Sequence, residues 1–215
     1  MRTRIKICGL TREADLDAAV QAGADAIGFV FHPGSRRYVS PARAAELRRR
    51  VPAFVDVVAL TVNASQDELR AILGEVGPDL LQFHGDETPE QCSLAGHRYL
   101  RAFRVGAPGL DSAHALAAHC AQYGDAAGWL FDSYSTGYGG SGQGFDRALL
   151  AGVQAASDSR ALVLAGGLTP DNVADAVRAV RPWAVDVSSG VEEGPGLKSS
   201  DRVKKFIDAV NFCAR

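Results

Sequence analysis

Cysteine is sparse in this chain and badly spaced for paired chemistry. The four residues, Cys8, Cys92, Cys120 and Cys213, form no CxxC pair and no metal-ligand spacing, which argues against a zinc site or a redox dithiol. In a reducing compartment all four are expected as free thiols. His, Asp and Glu show no grouping that suggests a metal site either. No apolar run approaches the ~20 residues of a membrane-spanning helix, and the start, Met1-Arg2-Thr3-Arg4, leads straight into a strand-like run without a secretory signal pattern. With a net charge of only -2, the chain has no electrostatic bias toward nucleic acid or a membrane surface. No Pro/Gly/Ser-rich linker divides it, so residues 1–215 read as one cytoplasmic domain with 47% hydrophobic residues to fill its core.

What is present is a regular alternation. Apolar runs at Ile5–Cys8, Ala26–Phe31, Val55–Val62, Leu80–His84, Tyr99–Val105, Gly128–Asp132, Ala161–Ala165 and Ala184–Val187 read as strands. Helical patterns fill the gaps between them. Ser40-Pro41 and Thr169-Pro170 each set an N-cap residue before a proline at the first helical position. Ser65-Gln66-Asp67-Glu68 and Thr88-Pro89-Glu90-Gln91 are capping boxes. Eight strand-helix units point to a small (β/α)8 TIM barrel, with an open doubly wound sheet as the alternative architecture. Either way, function belongs at the C-terminal ends of the strands.

Those ends are polar and glycine-rich. Cys8-Gly9 closes the first strand, and a thiol delivered there is a candidate acid or base, although a free cysteine also behaves as a small buried hydrophobe. Asp132 ends the sixth strand as a loop cap or a general acid/base. Asp186, inside the eighth strand, reads as a ligand contact or as a buried structural carboxylate that needs fixed partners. Arg37, in Ser35-Arg36-Arg37-Tyr38, can clamp a carboxylate bidentately or serve as a solvated charge. His84 divides between a substrate hydrogen bond and a structural tie. Three glycine-rich segments, Gly139-Gly140-Ser141-Gly142, Gly166-Gly167 and Ser188-Ser189-Gly190, suit close approach of backbone N–H groups to a phosphate. Residues 137–142 also match the dinucleotide fingerprint literally, but they neither follow a strand directly nor open a helix. Lys6 is adjacent to this region and is placed on the strand face opposite to Cys8.

Six ordered segments carry a family resemblance: Lys6-Ile7-Cys8-Gly9, Gly23 to Phe31, Ser35 to Pro41, Gln82-Phe83-His84-Gly85, Tyr138 to Gly142 and Asp186 to Glu192. In these the chain resembles the phosphoribosylanthranilate isomerases of tryptophan biosynthesis over nearly its whole length. The resemblance implies an Amadori rearrangement of an aminoaldose phosphate, with Cys8 as general base and Asp132 as general acid. It implies Arg37 as the partner of the anthranilate carboxylate, and no metal or organic cofactor. It also implies a phosphate site built from Gly140, Ser141, Gly142, Gly166, Gly167, Ser188, Ser189 and Gly190, with His84 and Asp186 as further substrate contacts. Thr61, Ser133 to Ser135 and Ser199 depart from the family's usual residues. The expected partner is a small phosphosugar, and the expected state a monomer or homodimer. Cys8 works as a base only when ionised, so neighbouring positive charge is expected to lower its pKa. Another phosphosugar-acting barrel enzyme, or a non-catalytic binder of phosphate ligands, is the competing reading.

Overall fold

Side chains that suit a sheet buried on both faces dominate the eight predicted runs, and each forms a strand. In the computed structural model, which describes residues 2–134 and 144–213, these are β1 (Arg4–Cys8), β2 (Ala26–Val30), β3 (Asp56–Thr61), β4 (Leu80–Phe83), β5 (Tyr99–Val105), β6 (Gly128–Ser133), β7 (Ala161–Leu164) and β8 (Ala184–Val187). They pair in parallel in chain order, and β1 also pairs with β8, setting Arg4 opposite Ala184 and Ile7 opposite Val187. That last pairing closes the sheet into a TIM barrel and excludes the open alternative.

The helices follow the strands in turn: α1 (Glu13–Ala22), α2 (Pro41–Arg48), α3 (Gln66–Val76), α4 (Pro89–Leu94), α5 (Ala113–Ala121), α6 (Ala151–Ala155), α7 (Val173–Val180) and α8 (Ser200–Phe212). Ser40 caps α2 by accepting from Arg43 N, and both capping boxes form, with Ser65 and Thr88 bonded reciprocally to Glu68 and Gln91. One expected cap is wrong. Thr169 does not start α7; the helix begins four residues later, at Val173, after the turn through Asn172. The Asn172 side chain causes the delay by closing that turn on itself, accepting from Thr169 N and donating to the Gly167 carbonyl. A second feature has no sequence signal of strand type: β9 (Glu192–Gly194) and β10 (Leu197–Lys198) form a short antiparallel ribbon between β8 and α8.

Alternation along each strand sorts the core into two shells. Outward residues such as Ile27, Phe29, Leu81 and Phe103 join the helices' buried faces. Inward residues Val58, Leu100, Ala102, Leu130, Val163 and Ala165 pack the lumen. Thr61 shares its strand face with Val57 and Ala59, so this departure from the family pattern faces the helices and not the barrel mouth. Above this packed lumen, at the barrel mouth, the inward residues turn polar at Cys8, His84, Asp132 and Asp186.

Candidate active site

At that mouth a cavity of about 730 Å³ of empty space opens between the ends of the strands. Cys8, Arg37, His84, Asp132, Gly166, Gly167, Asp186, Ser188, Ser189 and Gly190 all line it. Ten of the expected site residues are thereby brought to one place. Gly140, Ser141 and Gly142 lie outside the described residues.

Cys8 ends β1 with only 4% of its surface exposed. Gly9 follows in the left-handed region at φ 76°, where glycine avoids strain, and its missing side chain admits the Arg37 stem. The Cys8 carbonyl is held by the Ser188 hydroxyl, which donates to it at 3.0 Å. Burial pushes the thiol above its ordinary pKa, Lys6 opposes this, Asp186 adds to it, and Lys198 again opposes it. The expected depression is therefore not found. Desolvation of a sulfur anion outweighs the neighbouring cations.

Lys6 also corrects the sequence reading. Residues two apart on a strand share a face, and Lys6 points inward with Cys8, the end of its stem and the Cys8 sulfur both lying over Gly28 of the neighbouring strand. Its Nζ stands 3.0 Å from Asp186 Oδ1, with both side chains under one-tenth exposed. Asp186 thus has the fixed partner that a strand-interior carboxylate requires, and it lines the cavity as well.

Asp132 is the last inward residue of β6. Its Oδ1 accepts from Ser133 N at 2.8 Å, and its Oδ2 lies 3.4 Å from His84 Nε2. The buried Gln82 amide stands 3.0 Å from His84 Nδ1. The imidazole thereby bridges the Gln82 amide and the Asp132 carboxylate. His84 is accordingly both a tie and a cavity group.

Arg37 is not a loose surface charge. Its Nε and Nη2 donate to Glu192 Oε1 and Oε2, each at 2.8 Å, which leaves the Nη1 edge of the guanidinium for a ligand. Lys198 from β10 reaches the same carboxylate at 2.7 Å and the Ser188 carbonyl at 3.1 Å. Burial pushes the Glu192 carboxyl up, but hydrogen bonds and charge from Arg37 and Lys198 bring it below its ordinary range. The sequence pattern gives Glu192 no role and does not single out Lys198, because the ribbon that carries them has no strand pattern.

The loops after β7 and β8 meet closely. Gly166 and Gly167 adopt φ of 75° and 63°, a region that favours glycine. A side chain at Gly190 would overlap the Leu168 carbonyl. The bare backbones of both loops therefore abut beside the cavity, the arrangement through which glycine loops receive an anion. Val30, Leu60 and Val62 supply an apolar wall, a part of the site that no polar motif could reveal. No group of three or more potential metal ligands occurs among the described residues.

A closed parallel barrel whose C-terminal mouth combines a thiol, a carboxylate, a held arginine and paired glycine loops defines a TIM-barrel enzyme for a small anionic ligand. The sequence profile described as PRAI, N-(5'phosphoribosyl)anthranilate (PRA) isomerase, matches residues 5–209. The N-(5'-phosphoribosyl)anthranilate isomerase of Bordetella bronchiseptica is 73% identical over 98% of this chain and 96% of its own length. The crystal structure of phosphoribosyl anthranilate isomerase from Thermotoga maritima superposes with a TM-score of 0.87 at 38% identity, covering 97% of this chain and 98% of that one. Another solved structure, an isomerase in complex with reduced 1-(o-carboxyphenylamino)-1-deoxyribulose 5-phosphate, gives a TM-score of 0.82 at 34% identity over 97% and 98% of the two chains. The chain belongs to the N-(5'-phosphoribosyl)anthranilate isomerase family.

Proposed function

We infer that this chain, as a single cytoplasmic barrel domain, is a phosphoribosylanthranilate isomerase of tryptophan biosynthesis. It converts N-(5-phosphoribosyl)anthranilate to 1-(2-carboxyphenylamino)-1-deoxyribulose 5-phosphate. The observation that carries the reading is that a thiol and a carboxylate on strands β1 and β6 open into one cavity beside the paired glycine loops. A solved relative holding a reduced form of the product supports the same ligand class.

The phosphate lies against Gly166, Gly167, Ser188, Ser189 and Gly190. The anthranilate ring rests on Val30, Leu60 and Val62, and its carboxylate meets the free Nη1 edge of Arg37. Asp132 protonates the furanose ring oxygen while the anilino nitrogen lone pair forms the C1=N bond, so the C1–O bond breaks and a protonated Schiff base results. The Cys8 thiolate then removes the C2 proton, and the C–H electron pair neutralises the iminium to give an enolamine. Tautomerisation yields the ketone. The Schiff-base cation adjacent to Cys8 favours the thiolate, offsetting the upward push of burial.

The test is a fluorescence assay following disappearance of phosphoribosylanthranilate with the purified protein. Turnover well above the spontaneous rate is expected. Tight binding of the reduced product without turnover would identify a non-catalytic phosphate-ligand protein, and absence of both would overturn the substrate assignment.

A further inference from the structure

Lumen positions beneath the cavity are apolar at Val58, Leu100, Leu130 and Val163. Lys6 is an exception at the cost of desolvating an ammonium, and such a group persists only where partners hold its charge. Its partners are specific. Asp186 anchors Nζ at 3.0 Å from the neighbouring strand, and the Cys8 sulfur stands on the same inward face. Gly28, paired with Cys8 across β1 and β2, makes room for both groups. A Cβ there would lie 2.8 Å from Cys8 Sγ and 3.2 Å from Lys6 Cε.

We propose that Lys6 is the positioning residue for the base: anchored by Asp186, its ammonium stabilises the Cys8 thiolate when the sulfur ionises at the cavity. This deepens the isomerase reading and rests on it, since the thiolate matters only if Cys8 takes a proton. Four charged groups bear on Cys8: Lys6 from its own strand, Asp186 from β8, Lys198 from β10 and Arg37 from the segment after β2. Arg37 and Lys198 are both committed to Glu192. Lys6 is the cation whose stem shares the space over Gly28 with the sulfur. Burial disfavours its charge, but Asp186 and Cys8 more than compensate and keep it protonated.

The experiment titrates the Cys8 thiolate of the ligand-free protein by its ultraviolet absorbance, as a difference against Cys8→Ser, so it does not depend on turnover. Lys6→Met should raise the Cys8 midpoint by about 1–3 pH units, the effect of one close opposite charge. The rising limb of kcat/KM with pH should move up in parallel, so the activity deficit at neutral pH closes under alkaline conditions. Lys6→Arg should restore part of the shift. Asp186→Asn, nearly isosteric, should move the midpoint the other way, because the Lys6 charge is then no longer shared with a carboxylate. It tests the proposal even if Lys6→Met fails to fold. A Cys8 midpoint unchanged in folded Lys6→Met, or unchanged or raised in Asp186→Asn, overturns the role of Lys6. Failure of the wild-type turnover assay instead removes the isomerase reading and leaves the titration result standing.

Discussion

Glu192 grips Arg37 along one edge of its guanidinium, oxygen for nitrogen, with both contacts at 2.8 Å and the carboxylate side chain only 6% exposed. The grip fixes the plane of the guanidinium and thereby the direction of its remaining edge. A preset fork loses less freedom when a ligand carboxylate arrives than a mobile lysine would.

Arg37→Ala is therefore expected to act on binding. The anthranilate carboxylate does not react, so its contact is about equally strong in ground and transition states, and KM should rise far more than kcat falls. Losing a charge-assisted hydrogen-bond pair costs about 1.5–3 kcal/mol, or roughly ten- to a hundredfold in affinity. Steady-state kinetics on the natural substrate and an aniline analogue decide the matter. An unchanged preference for the carboxylated amine would show that another group holds it.

Cys8→Ser tests the base. A hydroxyl of similar size is far too weak a base, so kcat should fall by about 10²–10⁴ with little change in substrate affinity and an intact fold. The pH dependence has a definite sign. The base must be deprotonated, and burial raises the Cys8 thiol above its ordinary value in the free protein. Hence kcat/KM, which reports free-enzyme ionisations, should keep climbing as pH rises through neutrality into the alkaline range. A plateau already reached below neutral pH would contradict the assignment of Cys8 as the titrating base.

Much of this architecture is legible in the sequence, for identifiable reasons. Buried parallel strands advertise themselves as β-branched and apolar runs, and Ser65 and Thr88 announce α3 and α4 through side chains that bond within four residues. Closure of the barrel depends on the pairing of β1 with β8, which local pattern does not encode. The site was readable where a chemically distinct residue ends a strand, as at Cys8 and Asp132. It was not readable where function comes from tertiary partners: Glu192 and Lys198 meet Arg37 through an irregular ribbon, and Asn172 displaces the start of α7 by bonding to a loop. Lys6 is different. The period of two placed it beside Cys8, and only a misapplied alternation assigned it to the other face.

Asp132→Asn isolates the first chemical step. The amide keeps the shape of the carboxyl and its contact from Ser133 N, but it cannot deliver a proton to the ring oxygen. Ring opening should become the blocked step, with kcat reduced by about 10²–10⁴. A substrate that already presents the open-chain imine should partly escape the defect. Rapid-mixing comparison of cyclic and open-chain analogues reads this out, and equal impairment of the two would reassign Asp132 to binding.

The last prediction concerns the loops, where geometry and chemistry separate cleanly. Gly190 lies where any β-carbon would overlap the Leu168 carbonyl, a backbone atom that cannot swing aside as a side-chain tip would. Gly190→Ala should therefore push the loops after β7 and β8 apart while leaving the lumen layer of Val58, Leu100, Leu130 and Val163 in place. If those loops hold the phosphate, affinity for inorganic phosphate and for the phosphorylated product should fall together, whereas the Cys8 thiolate titration should stay where it is. Calorimetric titration with both ligands, alongside a thermal melt, supplies the comparison. Normal phosphate affinity in a folded Gly190→Ala protein would move the anion site away from these loops.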